Sequence, residues 1–431
     1  MSLREMQGLS LDQAPPVGVI FPFFLAAAGF ATAAGVVLAS NGAAVLISPF
    51  LPGTVAFTHL GTLGFLMMVM MGAIYQMIPV VIGVRVRGIR LAHLVFSAMV
   101  IGIGVLVAGL LLPSPAMVEA AIWLIGPAIV TFLLPTLWAV FCASTKTETA
   151  HGMRLALLSL LGVGFLGIWM AHGHAGMSFP GDRWLFIRAH VAVGLFGWVG
   201  LLIVAVSFQV VPMFYLSREV PRWLRRTLLG GVALGVILPV VGLVLGPESA
   251  PTADLFVTWG PVPAMLALFV VHPAATLFAI RHRRRKRAHP SLRFWQAGLS
   301  MAPLVGASAI IAGAAADPRW DLLYGFLAVW GWAAIIVHGM LTRIVPFLIW
   351  FHRFSPLAGV VPIPSMNAIL PARWTEVASG LHAASVLAGA AGIVAGSDVV
   401  LRIAGALIAL TGLNLGVMIT HVLRQRPAPP E

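Results

Sequence analysis

Acidic side chains are scarce in this sequence: 13 Asp and Glu in 431 residues, against 26 Lys and Arg. No two of them form a legible pair for acid–base work. No Ser-His-Asp set stands out, and no glycine-rich loop has the spacing that cradles a phosphate. Hydrolysis and nucleotide-driven chemistry therefore have no sequence signal. Cysteine is scarcer still. Cys142 stands alone, which excludes an intramolecular disulfide, a Cys-x-x-Cys pair and the Cys-x-x-Cys-His motif that attaches haem covalently. Any haem would be held non-covalently, and any metal would rest on His, Met or carboxylate. Charge as a whole is in short supply, at 9% of residues against 60% hydrophobic, with a mean hydropathy of +1.00. So little polar surface cannot cover a water-soluble domain of this length. The composition specifies an all-α polytopic membrane protein.

What is present is a series of long apolar runs. Twelve lie near residues 17–39, 54–82, 90–113, 117–142, 152–171, 184–214, 225–246, 257–280, 293–315, 320–350, 374–396 and 400–423. A helix of about 20 residues crosses roughly 30 Å of hydrocarbon, so these are read as spans 1 to 12 of a single membrane domain. Spans 2, 6 and 10 exceed a perpendicular crossing and are expected to tilt or project. Basic residues sort to alternate loops. Arg85, Arg87, Arg90, Lys146, Arg154, Arg218, Arg222, Arg225, Arg226, the run Arg281 to Arg287, Arg353, Arg373, Arg424 and Arg426 share one side, and Arg183, Arg188, Arg319 and Arg402 take the other. The positive-inside rule makes the basic side cytoplasmic, with both termini there, in a bacterial-type inner membrane. Met1 to Gly18 is polar without a cleavable-signal pattern, so the first span is expected to stay. The net charge of +13 then needs no nucleic-acid partner. The run Arg281 to Arg287 reads as a topology anchor on anionic lipid, and the bilayer is the first partner.

Three prolines organise the chain. Pro79, Pro212 and Pro346 are 133 and 134 residues apart, in Gln76-Met-Ile-Pro-Val80, Gln209-Val-Val-Pro-Met213 and Arg343-Ile-Val-Pro-Phe347. A fixed period is an internal repeat. It groups the 12 transmembrane helices into three pseudo-threefold-related four-helix units, near 17–142, 152–280 and 293–423, with a proline-rich cytoplasmic loop expected at 351–373. His59 lies 20 residues before Pro79 and His190 lies 22 before Pro212, whereas the third copy has Phe326 and Tyr324 in those slots.

The chain has thirteen histidines, and the intramembrane ones carry the functional signal, because an ionisable side chain is costly in hydrocarbon. His59 and His190 are read as haem or metal ligands, against the alternative of core histidines bonded to carbonyls. Met170-Ala-His-Gly-His-Ala-Gly-Met177 brings His172 and His174 between two thioethers, a donor set suited to copper and equally to a wetted turn. His272, His338 and His382 lie deeper. A second haem, a proton path or interhelical hydrogen bonds all fit them. Met67, Met68, Met70, Met71 and Met77 in span 2 fit either core packing or a Cu(I) relay.

These residues resemble a known family. Twelve spans, three four-helix units and a histidine near the outer end of spans 2 and 6 are similar to subunit I of the haem-copper oxidase and nitric oxide reductase superfamily. His190-Val-Ala-Val-Gly-Leu-Phe-Gly-Trp-Val-Gly200, ending in Val210-Val-Pro212, looks like the helix supplying a copper-site histidine. His59-Leu-Gly-Thr-Leu-Gly-Phe65, ending in Tyr75 to Pro79, looks like the helix supplying an axial ligand of the low-spin haem. The sequence departs from the pattern in span 7, which has no histidine, and in span 10, where Leu322-Leu-Tyr-Gly-Phe326 stands in the ligand position. His338, 14 residues further on, is about 21 Å away along the helix. Complete oxygen reduction at the family's binuclear centre is therefore not expected. The opening Pro22-Phe-Phe-Leu25 also resembles NnrS-type haem- and copper-containing membrane proteins.

The sequence thus supports a haem-b-binding membrane protein with His59 and His190 as ligands. Its expected role is electron transfer, nitric oxide handling or support of a respiratory complex, with partner subunits or a cytochrome or quinol electron donor. Copper transport or delivery through Met170, His172, His174 and Met177 is a second reading, and a non-catalytic scaffold subunit is a third. Whether the protein is an enzyme stays open. Tyr324 reads as an outer-belt aromatic in the vacant slot.

Overall fold

The computed structural model describes residues 13–176, 178–179, 182–246, 250–284 and 289–427. Met177 and residues 285–287 of the basic run lie outside them. Twelve helices are long and apolar enough to cross a membrane: span 1 (Val17–Val45), span 2 (Pro52–Ile82), span 3 (Leu91–Leu111), span 4 (Pro115–Cys142), span 5 (Glu148–His174), span 6 (Arg183–Tyr215), span 7 (Arg222–Leu245), span 8 (Pro251–Arg281), span 9 (Ser291–Ala314), span 10 (Pro318–Leu357), span 11 (Ala372–Ala395) and span 12 (Asp398–Leu423). Among the described residues the only β pairing is a single bridge between Ala358 and Val361. The chain is an all-α polytopic membrane protein.

The helix starts follow local chemistry. Proline occupies the first turn of spans 2, 4 and 10, where its missing N–H costs nothing. Thr147, Asp182, Asp317 and Ser397 cap spans 5, 6, 10 and 12 by accepting from a backbone N–H of the first turn. The connection after span 10 corrects an expectation. The loop expected from residue 351 begins later, because the backbone stays helical through Phe354 and a short turn covers Ser355–Leu357. Trp350-Phe-His-Arg-Phe354 holds no helix breaker, and the first one is Pro356. The Trp350 indole N–H then donates to the Pro364 carbonyl at 3.0 Å, tying the following segment back to the helix.

Spans 2, 6 and 10 differ from the other nine. In each, 83% of the most apolar stretch is buried inside the protein, against 28–50% elsewhere. A helix that is apolar all round and covered by protein is an inner helix, and the others present one face to lipid. Each inner span also contains a π-helical segment: Leu60–Met67, Ala192–Gly200 and Leu327–Ala334. These begin 19, 20 and 19 residues before Pro79, Pro212 and Pro346. Further π-helical segments lie at Ile78–Ile82, Ala267–Val271 and Trp350–Phe354, so it is the offset from the three prolines that sets these three apart.

Contacts divide the chain into two compact units. The first holds 13–14, 74–284 and 302–307, and the second holds 15–73, 289–301 and 308–427. In the first, Glu148 at the start of span 5 accepts from Arg222 at 2.7 Å and Arg226 at 3.2 Å, fixing spans 5 and 7 at one end. In the second, spans 1 and 12 touch backbone to backbone. A Cβ on Gly35 would stand 2.1 Å from the Ala409 nitrogen, and one on Gly405 2.2 Å from the Ala39 nitrogen. Only glycine permits this approach, and neither backbone can yield.

Candidate functional site

The second unit brings two of the deep histidines together. His338 on span 10 and His382 on span 11 are both buried, at 1% and 0% exposure, and their Nδ1 atoms lie 3.0 Å apart. His382 Nε2 lies 3.1 Å from the carbonyl oxygen of Trp330, within the π-helical segment of span 10. The Trp330 indole N–H donates to Ser385 Oγ at 2.8 Å, and the Ser385 hydroxyl donates to the His382 carbonyl at 2.7 Å. The Trp330 indole also stacks on the His382 ring, with centroids 4.4 Å apart and planes 17° from parallel. The Phe294 ring of span 9 packs on His338 at 4.8 Å.

This network assigns the protons. A carbonyl oxygen can only accept, so His382 carries its proton on Nε2 and donates it to Trp330. Neutral imidazole is the form favoured at this depth. Neutral His382 therefore presents a lone pair at Nδ1, and His338 Nδ1–H must be the donor to it. That leaves the His338 Nε2 nitrogen unprotonated. Nε2 is buried and has no hydrogen-bond partner. One imidazole is thus held by its Nδ1–H on a second, anchored imidazole, and offers a buried lone pair at Nε2. A neutral imidazole in that state can serve as a ligand.

In the first unit, His272 on span 8 is also fully buried. Its Nε2 lies 3.0 Å from Ser207 Oγ, and the Ser207 hydroxyl donates to the Val204 carbonyl at 2.7 Å. Ser207 must then accept from His272 Nε2–H. The remaining nitrogen, Nδ1, is buried without a hydrogen-bond partner.

The outer histidines occupy separate units. His59, half-buried in the second unit, donates through Nδ1–H to the Val55 carbonyl one turn away at 2.8 Å. Its basic nitrogen is therefore Nε2. His190, half-buried in the first unit, lies against Gly167 of span 5, where an added Cβ would stand 3.1 Å from His190 Cε1. At the same distance before Pro346 in span 10, Tyr324 is half-buried and Phe326 is buried. The Phe326 ring packs onto Gly389 of span 11, where a Cβ would stand 2.2 Å from it. That slot is filled by packing.

The Met/His segment is helical through His174. Residues two apart on a helix point about 200° apart, so His172 and His174 do not share a face. Met170 and His174 do, at a spacing of four. His174 packs edge-on to Phe179 at 6.0 Å, and Met177 lies outside the described residues. Met67, Met68, Met70 and Met71 are buried in span 2. Among the described residues, no group of three or more His, Cys, Asp and Glu side chains could hold a metal ion.

Sequence reasoning identified His338 and His382 but not Trp330, Ser385 or Phe294. The available signal was His382 and Ser385, two polar residues at i and i+3 in an otherwise apolar span. No family model matches the chain, and no curated protein matches it.

The site can be tested against the groups the sequence suggests. Copper or zinc held by protein alone takes three or four donors, and His338 supplies one. Haem brings its own ring nitrogens and asks one or two axial ligands of the protein. A neutral imidazole with a preset Nε2 lone pair fits that requirement in donor chemistry.

Proposed function

We propose that this protein is a haem-b-binding integral membrane protein that carries electrons within the bilayer, with His338 as a protein ligand. The observation that carries the reading is the buried, unpartnered Nε2 of His338, whose lone pair is fixed by His382. His382 acts as a positioning residue. By accepting the Nδ1–H it sets the tautomer and the ring plane of His338, and it raises the basicity of Nε2. The Trp330 carbonyl anchors His382 in turn, while Trp330 and Phe294 enclose both imidazoles in apolar rings that exclude water. When bound, the haem would supply a one-electron redox centre whose potential responds to axial basicity and burial.

The recurrence of the π-helical segment supports the three-unit repeat as the scaffold. Together with the likeness of spans 2 and 6 to the haem-copper oxidase and nitric oxide reductase superfamily, it favours electron transfer or nitric oxide handling. The basic loops favour cytoplasmic termini.

The deciding experiment is a visible spectrum, pyridine-haemochrome assay and metal analysis of one clean preparation. A Soret band is expected in the wild type, lost in His338→Ala and retained with a shifted maximum in His382→Phe. A wild-type protein without a Soret band, or a spectrum untouched by His338→Ala, overturns the proposal. Copper without haem would favour the copper-delivery reading.

A further inference from the structure

The first unit carries a groove of about 680 Å³ between spans 3 and 4, where span 3 leaves the basic turn. Its walls are apolar, and Leu91, Leu94 and Leu134 face outward at 47%, 61% and 67% exposure. Its one charged lining residue is Arg87. The central carbon of the Arg87 guanidinium lies over the Trp138 ring, 3.8 Å from the centroid. Arg85 and Arg90 are exposed on the same turn, and the segment from 83 to 94 holds no acid.

We propose that this groove binds an anionic phospholipid, with the phosphate on Arg87 and an acyl chain along Leu91, Leu94 and Leu134. The cation–π contact with Trp138 holds the guanidinium at the groove, and its N–H groups can fork onto phosphate oxygens. An indole at the mouth of an apolar groove marks the level where headgroup meets hydrocarbon. Arg87 in the groove, on a segment from 83 to 94 that holds no acid, favours a net negative headgroup over a zwitterionic one, because a choline would add charge of the same sign. The acyl slot requires a lipid rather than a free anion: a soluble phosphate would leave the exposed leucines uncovered.

Native mass spectrometry of the full-length protein with added phosphatidylglycerol or phosphatidylcholine tests the site. The wild type is expected to retain phosphatidylglycerol preferentially. Arg87→Gln should weaken that retention about five- to tenfold, the scale of one interfacial arginine, and leave phosphatidylcholine unchanged. Arg85→Gln removes the same charge outside the groove and should leave both lipids within about twofold. Leu134→Trp fills the slot and should displace both lipids while preserving the fold. Equal retention of the two lipids by the wild type overturns the proposal. So do equal losses in Arg85→Gln and Arg87→Gln, which would mean a general surface potential. Competition by millimolar inorganic phosphate alone would also overturn it, by identifying a free-anion site.

Discussion

Replacing His382 and His338 in turn by phenylalanine should reveal which imidazole supports the other. His382→Phe keeps a ring beside Trp330 but removes two hydrogen bonds, to the Trp330 carbonyl at 3.1 Å and from His338 Nδ1–H at 3.0 Å. Two buried polar groups are then left without partners. Interhelical hydrogen bonds in membrane proteins are worth about 0.6 kcal/mol on average and up to about 1.7, so the loss should total about 1–3 kcal/mol. His338→Phe removes one of those bonds and a nitrogen, Nε2, that has no partner to lose. It should cost about 1 kcal/mol or less, part of it regained by burying an apolar ring. The assay is reversible unfolding of cofactor-free protein in mixed detergent micelles, followed by tryptophan fluorescence. Equal losses, or a larger loss for His338→Phe, would refute the proton assignment and with it the lone pair at Nε2. In cofactor-loaded protein the order should invert for binding. His338→Phe abolishes it, and His382→Phe weakens it by about 10- to 100-fold, the usual effect of losing a ligand's supporting partner.

Gly35→Val should destabilise strongly, because its Cβ would meet the Ala409 backbone at 2.1 Å, whereas Gly313→Ala, with nothing within 4 Å, should change the melting temperature little. Thermal unfolding of both variants side by side checks this. His289, in the connection between spans 8 and 9, is lowered to about 4 by burial and by the Arg343 charge. The unfolded chain binds a proton there below about 6.5 while the folded one does not, so the His289 contribution to stability is lost as pH falls from 6.5 to 4. His289→Gln should flatten that part of the stability–pH curve, read as melting temperature across the range. Glu148→Gln removes the charge that Arg222 and Arg226 share. It should lower stability by about 1 kcal/mol, an effect that high salt reduces because both arginines are largely exposed.

The spans were legible because apolar length is written directly in composition, and their ends agree with the structure to within six residues except where Trp350–Phe354 continued the helix. The even spacing of three prolines was legible too. The widened turns ahead of them were not, since a π-helical segment differs from an α-helix by one residue and leaves no composition signal. His338 and His382 stood out as polar residues in apolar spans. Their pairing could not be read, because it depends on which faces of spans 10 and 11 meet across 44 residues of sequence. Trp330 was one of 13 tryptophans, and nothing local marks it as the residue whose carbonyl sets a tautomer.

The π-helical segments bear on how one inner helix can serve its neighbours. A π-helical segment holds an extra residue within an α-helix and loosens the regular backbone ladder there. In span 10 such a segment, Leu327–Ala334, contains Trp330, whose carbonyl accepts from His382 of span 11 at 3.1 Å. Where side-chain acceptors are scarce, a widened turn lets the backbone itself supply an acceptor to the next helix.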